Sequence, residues 1–485
     1  MTRWPSVDVA PTPSGWARPA NLMPAVGPSS WPRGRRAASE AEEILASAEA
    51  WWDVERSGFR DGDRYLRNIG RAGSVLDLRL GSASVANSND PKWLGPEDLG
   101  YVYLPGVASN YLSAPDENAL DITGDIDIRV QVALDDWTPA ATTCLLSKPN
   151  AYTLNVNTSG TLGVYLYPGT AYTSRTSSVA TGVTDGAVKW VRFTSDSSGV
   201  KFYLSDDAAT WTQLGSTQSV VAGTVANTEI LSIGNRSNVD NATGKFYRAQ
   251  VLNGINGTTV LDINCDAITS GSAASFTATS GQTVTINRAT SGRKSVAMPS
   301  KTKGGRPCML LGTDDYLECQ DSAQHGLLNF GGADSFTVLA VVRRPSGSGS
   351  YGPTLSKMNT AGNDTLGWQV RRSSGTTLDL FAYVGDGINK VASATYTSAA
   401  GISEANGFIV DRGANLVRFF GGGVILNGAS TKAVGSLANT YPLRVGRSAD
   451  SSFYMDMEFG AAAIWRRALT AREITVINNA ATWGT

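Results

Sequence analysis

Five blocks of this sequence return in the same order roughly 210 residues further on, and that repeat constrains the fold more than any other feature. Ile126, Ile128, Val130 and Val132 alternate with polar residues as a half-buried strand does, and Phe336, Val338, Ala340 and Val342 repeat the pattern. Tyr111-Leu112 answers to Tyr316-Leu317, and Leu146-Ser147-Lys148 to Leu355-Ser356-Lys357. Leu162, Val164, Tyr165 and Tyr167 answer to Leu378, Leu380, Phe381 and Tyr383. Ile233-Gly234-Asn235-Arg236-Ser237 answers to Val445-Gly446-Arg447-Ser448. The chain therefore carries two copies of one β domain, each long enough for a two-sheet sandwich.

Composition agrees. Charged residues are 17% of the 485 and glycines number 52, against roughly 25% charge and 7% glycine in ordinary soluble chains. Low charge with many turn-forming residues favours strands over helical bundles, and 41% hydrophobic content excludes global disorder. A net charge of −1 argues against nucleic acid as a partner, and no apolar run reaches membrane-spanning length. One histidine, His325, leaves no His-rich zinc site. The cysteines Cys144, Cys265, Cys308 and Cys319 are too few for a disulfide scaffold and read as reduced, buried thiols. The opening MTRWPSVDVAPTPSGW lacks the apolar region of a secretory leader. An extracellular-type β composition without a leader is expected of a phage virion protein, which leaves the cell by lysis.

The spacing predicts five regions: an extended Pro/Trp-rich docking arm (1–37), a short amphipathic helix (38–56), a first β domain (57–290), a linker (291–305) and a second β domain (306–485). Prolines keep the arm extended. Its Trp4, Trp16 and Trp31, with Arg33, Arg35 and Arg36, have the composition of interface anchors, so the arm is expected to dock on other virion proteins. Ser39 and Glu42 have capping-box spacing, and Ile44, Leu45, Ala48, Trp51 and Trp52 form a helical stripe expected to pack on the first domain.

The second copy contains Gly305-Arg306-Pro307, then LLGTDDYLE, DSFTVLAVVR and Leu443-Arg-Val-Gly446, and ends in AAIWRRALTAREI. In that order these segments resemble the LamG-like jelly roll of the concanavalin A-like lectin/glucanase superfamily. Arg467-Ala468-Leu469-Thr470 followed by Glu473-Ile474 carries most of the resemblance; Thr470 and Glu473 are spaced to cap a closing helix, with Leu469, Ile474 and Ile477 sealing the sandwich. The first copy is similar but looser, with Asn110-Tyr111-Leu112 at the opening turn and LNGINGTTVLDINCDA where the second closes with a helix. The expected fold class is all-β: two tandem concanavalin A-like jelly-roll sandwiches behind an extended arm and a short helix. A Trp51-Trp52-Asp53 lead-in before two such domains resembles the pattern of tailed-phage minor tail proteins. The resemblance implies a virion protein, in the tail rather than the capsid, homo-oligomeric in the particle and engaged in host attachment. Its rivals are a capsid-surface decoration or head fibre protein, and a carbohydrate-active hydrolase of the same fold.

A lectin-like face needs aromatic rings for sugar C–H faces and polar groups for hydroxyls. Tyr165 and Tyr167 share one strand face, opposite Leu162, Val164 and Leu166, and Phe381 and Tyr383 share another. With Tyr172 these are the candidate contacts for a host surface glycan, with Arg175 and Asp386 as polar helpers; the same rings also suit packing under a loop or subunit. No cofactor is expected. The family sometimes binds calcium, for which Asp314 and Asp315 are the candidates, although turn capping suits them equally. Ser205–Trp211 resembles a degenerate Asp-box hairpin and reads as a tight turn anchored by Trp211. Asp125-Ile126-Asp127 and Asp456-Met457-Glu458 do not have the alternating-acid arrangement of glucanases, and His325, read as a loop residue, has no nucleophile motif beside it. No catalytic residue is expected.

Overall fold

A computed structural model describes residues 33–485 except 84, 88, 89, 170, 222, 344–351, 359–365, 373–378, 389, 393–395, 398–402, 431–434, 450–452 and 482–485. Trp4, Trp16 and Trp31 lie outside the described residues, as do the side chains of Arg33, Arg35, Arg36, Phe381 and Tyr383.

The chain forms two antiparallel β-sandwiches of concanavalin A-like jelly-roll type. In the N-terminal sandwich one sheet runs Thr212–Gln213, Gly199–Ser205, Lys189–Asp196, Ile126–Leu134, Thr243–Asn253, Tyr101–Pro105, Val296–Met298, with Thr258–Asn264 also on Thr243–Asn253. The opposing sheet runs Thr173–Ala180, Thr161–Leu166, Tyr152–Val156, Thr143–Lys148, Leu231–Ile233, Tyr111–Ala114, Thr283–Asn287, Ser275–Thr277. Alternate residues of both sheets meet in one apolar core that includes Ile128, Val130, Phe193 and Phe246 from the first and Leu112, Leu146, Leu154 and Val164 from the second.

The C-terminal sandwich repeats this order. Its first sheet runs Val424–Ser430, Leu416–Gly421, Ser403–Asp411, Phe336–Arg343, Met457–Trp465, Cys308–Leu311, Lys92–Leu94, with Ala50–Asp53 also on Met457–Trp465. Its second runs Tyr65–Leu66, Leu78–Leu80, Leu317–Cys319, Arg444–Val445, Pro353–Met358, Leu366–Arg372, Asp379–Asp386, Lys390–Ala392. Even the irregularities match. A bulge falls between Phe246 and Arg248 in one sandwich and between Phe459 and Ala461 in the other. Gly234 (φ +77°) and Gly446 (φ +82°) end equivalent strands, and a Cβ there would lie 2.0 Å from Leu104 Cδ1 and 2.4 Å from Leu311 Cδ2. Left-handed backbone and a close leucine together explain why both repeats carry glycine.

The expected boundaries need correction. In the N-terminal sandwich the four closing strands (residues 258–298) follow the roll they complete, so the expected linker contains one of them, Val296–Met298. The equivalent four strands of the C-terminal sandwich come from residues 50–94, ahead of the N-terminal roll: Ala50–Asp53 pairs with Met457–Trp465, Leu78–Leu80 with Leu317–Cys319, and Lys92–Leu94 with Cys308–Leu311. Residues 57–94 therefore belong to the other sandwich from the one their position suggests.

The expected helix is also displaced. It spans Arg33–Ala46, so Ser39 lies inside it instead of capping it. Trp51 and Trp52 continue as a strand, whose alternation sends Trp52 into the C-terminal core and Trp51 under the helices. The helix stripe of Ile44 and Leu45 packs with Leu339, Trp465, Leu469, Ile474 and Ile477 of the C-terminal sandwich, and Trp465 Nε1 donates to the Ile44 carbonyl at 2.9 Å. At the end of the chain the Thr470 backbone N donates to Glu473 Oε2 (2.8 Å) and the Glu473 backbone N to Thr470 Oγ1 (3.2 Å), a reciprocal capping box opening the helix Ala471–Ala481. All four cysteines are free and buried.

Candidate functional site

The outward face of the strands Tyr152–Val156 and Thr161–Leu166 assembles three of the five candidate aromatics. Leu162, Val164 and Leu166 point into the core, so Tyr165 points outward, with Tyr167 just past the strand end. The Tyr172 ring meets Tyr167 at 5.2 Å and Tyr165 at 6.2 Å, nearly edge-on to the latter. Tyr172 is 44% exposed, and its hydroxyl donates to Asn150 Oδ1 (3.1 Å) while accepting from the Asn150 backbone N (3.0 Å). The Arg236 guanidinium lies 4.9 Å over the Tyr165 ring and pairs with Asp240 at 2.5 Å.

Two residues along the same face stands Asn155, opposite Gly163. A Cβ on Gly163 would lie 2.3 Å from Asn155 Oδ1, so the amide lies over the glycine on the Tyr165 side of the sheet. Asn155 is 1% exposed and its Oδ1 has no hydrogen-bond partner among the described residues. A buried amide oxygen without a donor costs about 1–3 kcal/mol. Beside it Ser147 Oγ and Thr153 Oγ1 satisfy each other at 2.8 Å.

Strand register also corrects the repeat alignment. Tyr165 lies opposite Thr153, which lies opposite Ser147; Tyr383 lies opposite Gln369, which lies opposite Ser356. Tyr383, and not Phe381, is therefore the counterpart of Tyr165. Gln369 is outward-facing, 1% exposed, and its Oε1 has no partner among the described residues. The expected helpers do other work. Arg175 binds the Ser219 and Val220 carbonyls, and Asp386 accepts from the backbone N of Ile388 and Gly435. Arg236 was identifiable from its place in a repeated block; Asn150, Asp240 and Asn155 carry no signal in the sequence.

Most of the remaining candidates have partners of their own. Both Asp315 oxygens accept from the Arg293 fork at 2.7 Å, and Oδ2 also takes the Gly312 backbone N at 2.7 Å, so that carboxylate is committed to an arginine pair and a turn. Asp127 is fully buried between the forks of Arg129 and Arg192, with the Asn256 backbone N as a further donor. Burial alone would raise its pKa; the two guanidiniums overcome that and hold it below the usual carboxylate range. Glu458 is paired with Arg343. In the Ser205–Trp211 hairpin Asp207 accepts from the Ala209 and Thr210 backbone N atoms, and Trp211 lies beneath Arg129 and Arg192.

His325 belongs to the short helix Gln324–Leu328, not to a loop, and its Nδ1 lies 3.0 Å from Lys357 Nζ. Lys357 and its counterpart Lys148 are both fully buried, but their partners differ. Lys148 pairs with Asp116 (2.6 Å) and Asp121 (3.3 Å). Lys357 has the Tyr441 carbonyl (2.7 Å) and the imidazole, and burial lowers its pKa to about 8.

No family model and no curated protein matches the chain. Among solved structures it is similar to domains LG4-5 of the mouse laminin alpha1 chain, at 12% identity over 80% of this chain and 96% of that one, with a TM-score of 0.29. It is also similar to a heptameric SAP-like pentraxin from Limulus polyphemus (12% identity, 32% and 77% covered, TM-score 0.24) and to the CBM40 of a Ruminococcus gnavus IT-sialidase (13%, 30% and 83%, TM-score 0.26). Such low scores carry no functional argument, and the fold assignment stands on the strand order and the shared cores.

Proposed function

We propose that this chain is a non-enzymatic binding protein whose N-terminal sandwich holds a carbohydrate against Tyr165, Tyr167 and Tyr172. The observation that carries the reading is the buried Oδ1 of Asn155, without a hydrogen-bond partner among the described residues, on the same outward face as the Tyr165 ring. Rings supply apolar surface for sugar C–H groups, while Asn155, Asn150 and the Arg236–Asp240 pair supply acceptors and donors for hydroxyls. The carboxylates Asp127 and Glu458 are held by arginines, which supports binding over hydrolysis. A virion address, as a minor tail protein in host attachment, belongs to the same proposal on sequence grounds: the Trp51-Trp52-Asp53 lead-in and the tandem rolls.

A glycan array probed with the whole chain tests it. Retention of a glycan by the native chain and at least about a tenfold loss in Tyr165→Ala, the equivalent of about 1.4 kcal/mol, is the expected result. An array that retains nothing, or binding indifferent to Tyr165→Ala and Tyr172→Ala, refutes the site. Release of reducing ends from cell-wall polysaccharide would refute the non-enzymatic reading, and immunogold labelling of particles checks the address.

A further inference from the structure

The two rolls are closed from different directions along the chain. Residues 258–298 complete the roll before them, whereas residues 50–94 complete a roll that begins more than 200 positions later. The segment from Arg33 to Leu94 thus behaves as a clip. Its strands pair with those of the C-terminal sandwich, and its side chains Ile44, Trp51, Trp52, Phe59, Leu66 and Leu78 are buried there. Its covalent link onward is Gly95-Pro96-Glu97-Asp98-Leu99-Gly100, after which Tyr101 enters the N-terminal sandwich.

We infer that this clip is exchangeable and that the partner it fits is a second copy of this chain, the clip of each completing the C-terminal sandwich of the other. Complementarity is already demonstrated, because a clip from another copy meets the same groove with the same register: Ala50 opposite Ile464, Trp52 opposite Ala462, Leu94 opposite Cys308. Contacts made by the clip to the N-terminal sandwich, such as Lys92 with Asp135 (3.2 Å) and the Asp90 carbonyl with Arg293 (2.7 Å), are likewise remade against the partner. The linker alone changes environment. In the closed chain it is held by the Lys301 backbone N donating to the Glu97 carbonyl (2.8 Å), by Lys301 with Asp98 (3.0 Å) and by Lys245 with Glu97 (2.6 Å). Self-closure has the advantage of a linker-set effective concentration, on the order of millimolar, so exchange gains as chains are concentrated or as the linker is shortened. Reciprocal exchange closes a dimer, and exchange passed from chain to chain builds rings or filaments.

The test traps the strand pair in the full chain. Ala50→Cys with Ile464→Cys places two thiols at directly opposed Cα positions, so oxidation reports whose clip occupies whose groove. The chain is opened in mild denaturant at concentrations from about 1 μM to about 1 mM, returned to native buffer, oxidised and run without reductant. The expected result is a linked dimer whose share rises at least about tenfold across that range, and which predominates at the lowest concentration when Glu97–Leu99 are deleted. Monomers linked only within themselves at every concentration overturn the inference, as does a deletion variant that stays a self-linked monomer. The wild-type chain, treated identically and sedimented, keeps the test independent of the new cysteines: it must show the same dimer, and a monomer throughout overturns it.

Discussion

Trp52 lies more than 250 residues upstream of the roll it stabilises, and its removal separates the observed topology from the one chain order suggests. The residue is fully buried in the C-terminal core, with Nε1 donating to the Leu76 carbonyl at 2.7 Å. Truncation of a buried tryptophan costs about 3–5 kcal/mol, because the cavity closes only in part. Since about 1.36 kcal/mol is a factor of ten, Trp52→Ala should speed the opening-limited amide exchange of the C-terminal core by between about 10² and 10⁴. Exchange is read by mass spectrometry on peptides covering Phe336–Arg343 and Met457–Trp465, with Ile126–Leu134 and Thr243–Asn253 as internal reference. The C-terminal pair should accelerate and the N-terminal pair should not. Acceleration confined to the N-terminal peptides, or none, refutes the assignment of residues 50–94 to the C-terminal roll.

Four further substitutions test the charged and titratable groups of the interior and its margin. Asp127→Asn leaves Arg129 and Arg192 facing a neutral amide and should cost about 3–5 kcal/mol in urea unfolding at pH 7. Because the native carboxyl titrates below its unfolded value, that contribution is present above about pH 3.9 and is lost as pH falls further, a loss the variant should not show. Lys357→Met should stay within about 1 kcal/mol of wild type at pH 7, while Lys148→Met, which strands Asp116 and Asp121, should fall by about 2–4 kcal/mol. With the Lys357 pKa at about 8 when folded against 10.5 when unfolded, the unfolded chain binds more protons in that window. Wild-type stability should therefore rise from pH 8 to 10.5 relative to Lys357→Met; parallel curves would refute the lowered value. Burial and the Lys357 ammonium likewise lower the His325 pKa, so its contribution should fade as pH drops through about 6.5, and His325→Gln should remove that fading from the acid side of the stability profile.

What was legible in the sequence was whatever repeats over long strands. Ile126–Leu134 and Phe336–Arg343 are central, pair on both edges and alternate over eight or nine residues, so their period identifies them locally. The Thr470–Glu473 capping box is equally local, since both partners fall within four residues. Tyr165 and Tyr167 were legible as a pair because two-residue spacing sets the face. The polar half of the site was not: Asp240 reaches Arg236 from the far end of a turn, and Asn155 becomes significant only because Gly163 opposite leaves room for its amide.

The closing strands fail to announce their partner for a related physical reason. Tyr65–Leu66, Leu78–Leu80 and Lys92–Leu94 are two or three residues long, too short to show a period, and each presents one or two apolar side chains that any open sheet edge would accept. Residues 50–94 fill the edges of the C-terminal roll, where Trp52 and Leu78 complete its core. The equivalent edges of the N-terminal roll are already filled by Thr283–Asn287 on Tyr111–Ala114, by Val296–Met298 on Tyr101–Pro105 and by Thr258–Asn264 on Thr243–Asn253. A segment that completes a distant edge and core is indifferent to which molecule carries them. The property that hid it from a local reading is therefore the one that makes it transferable between copies.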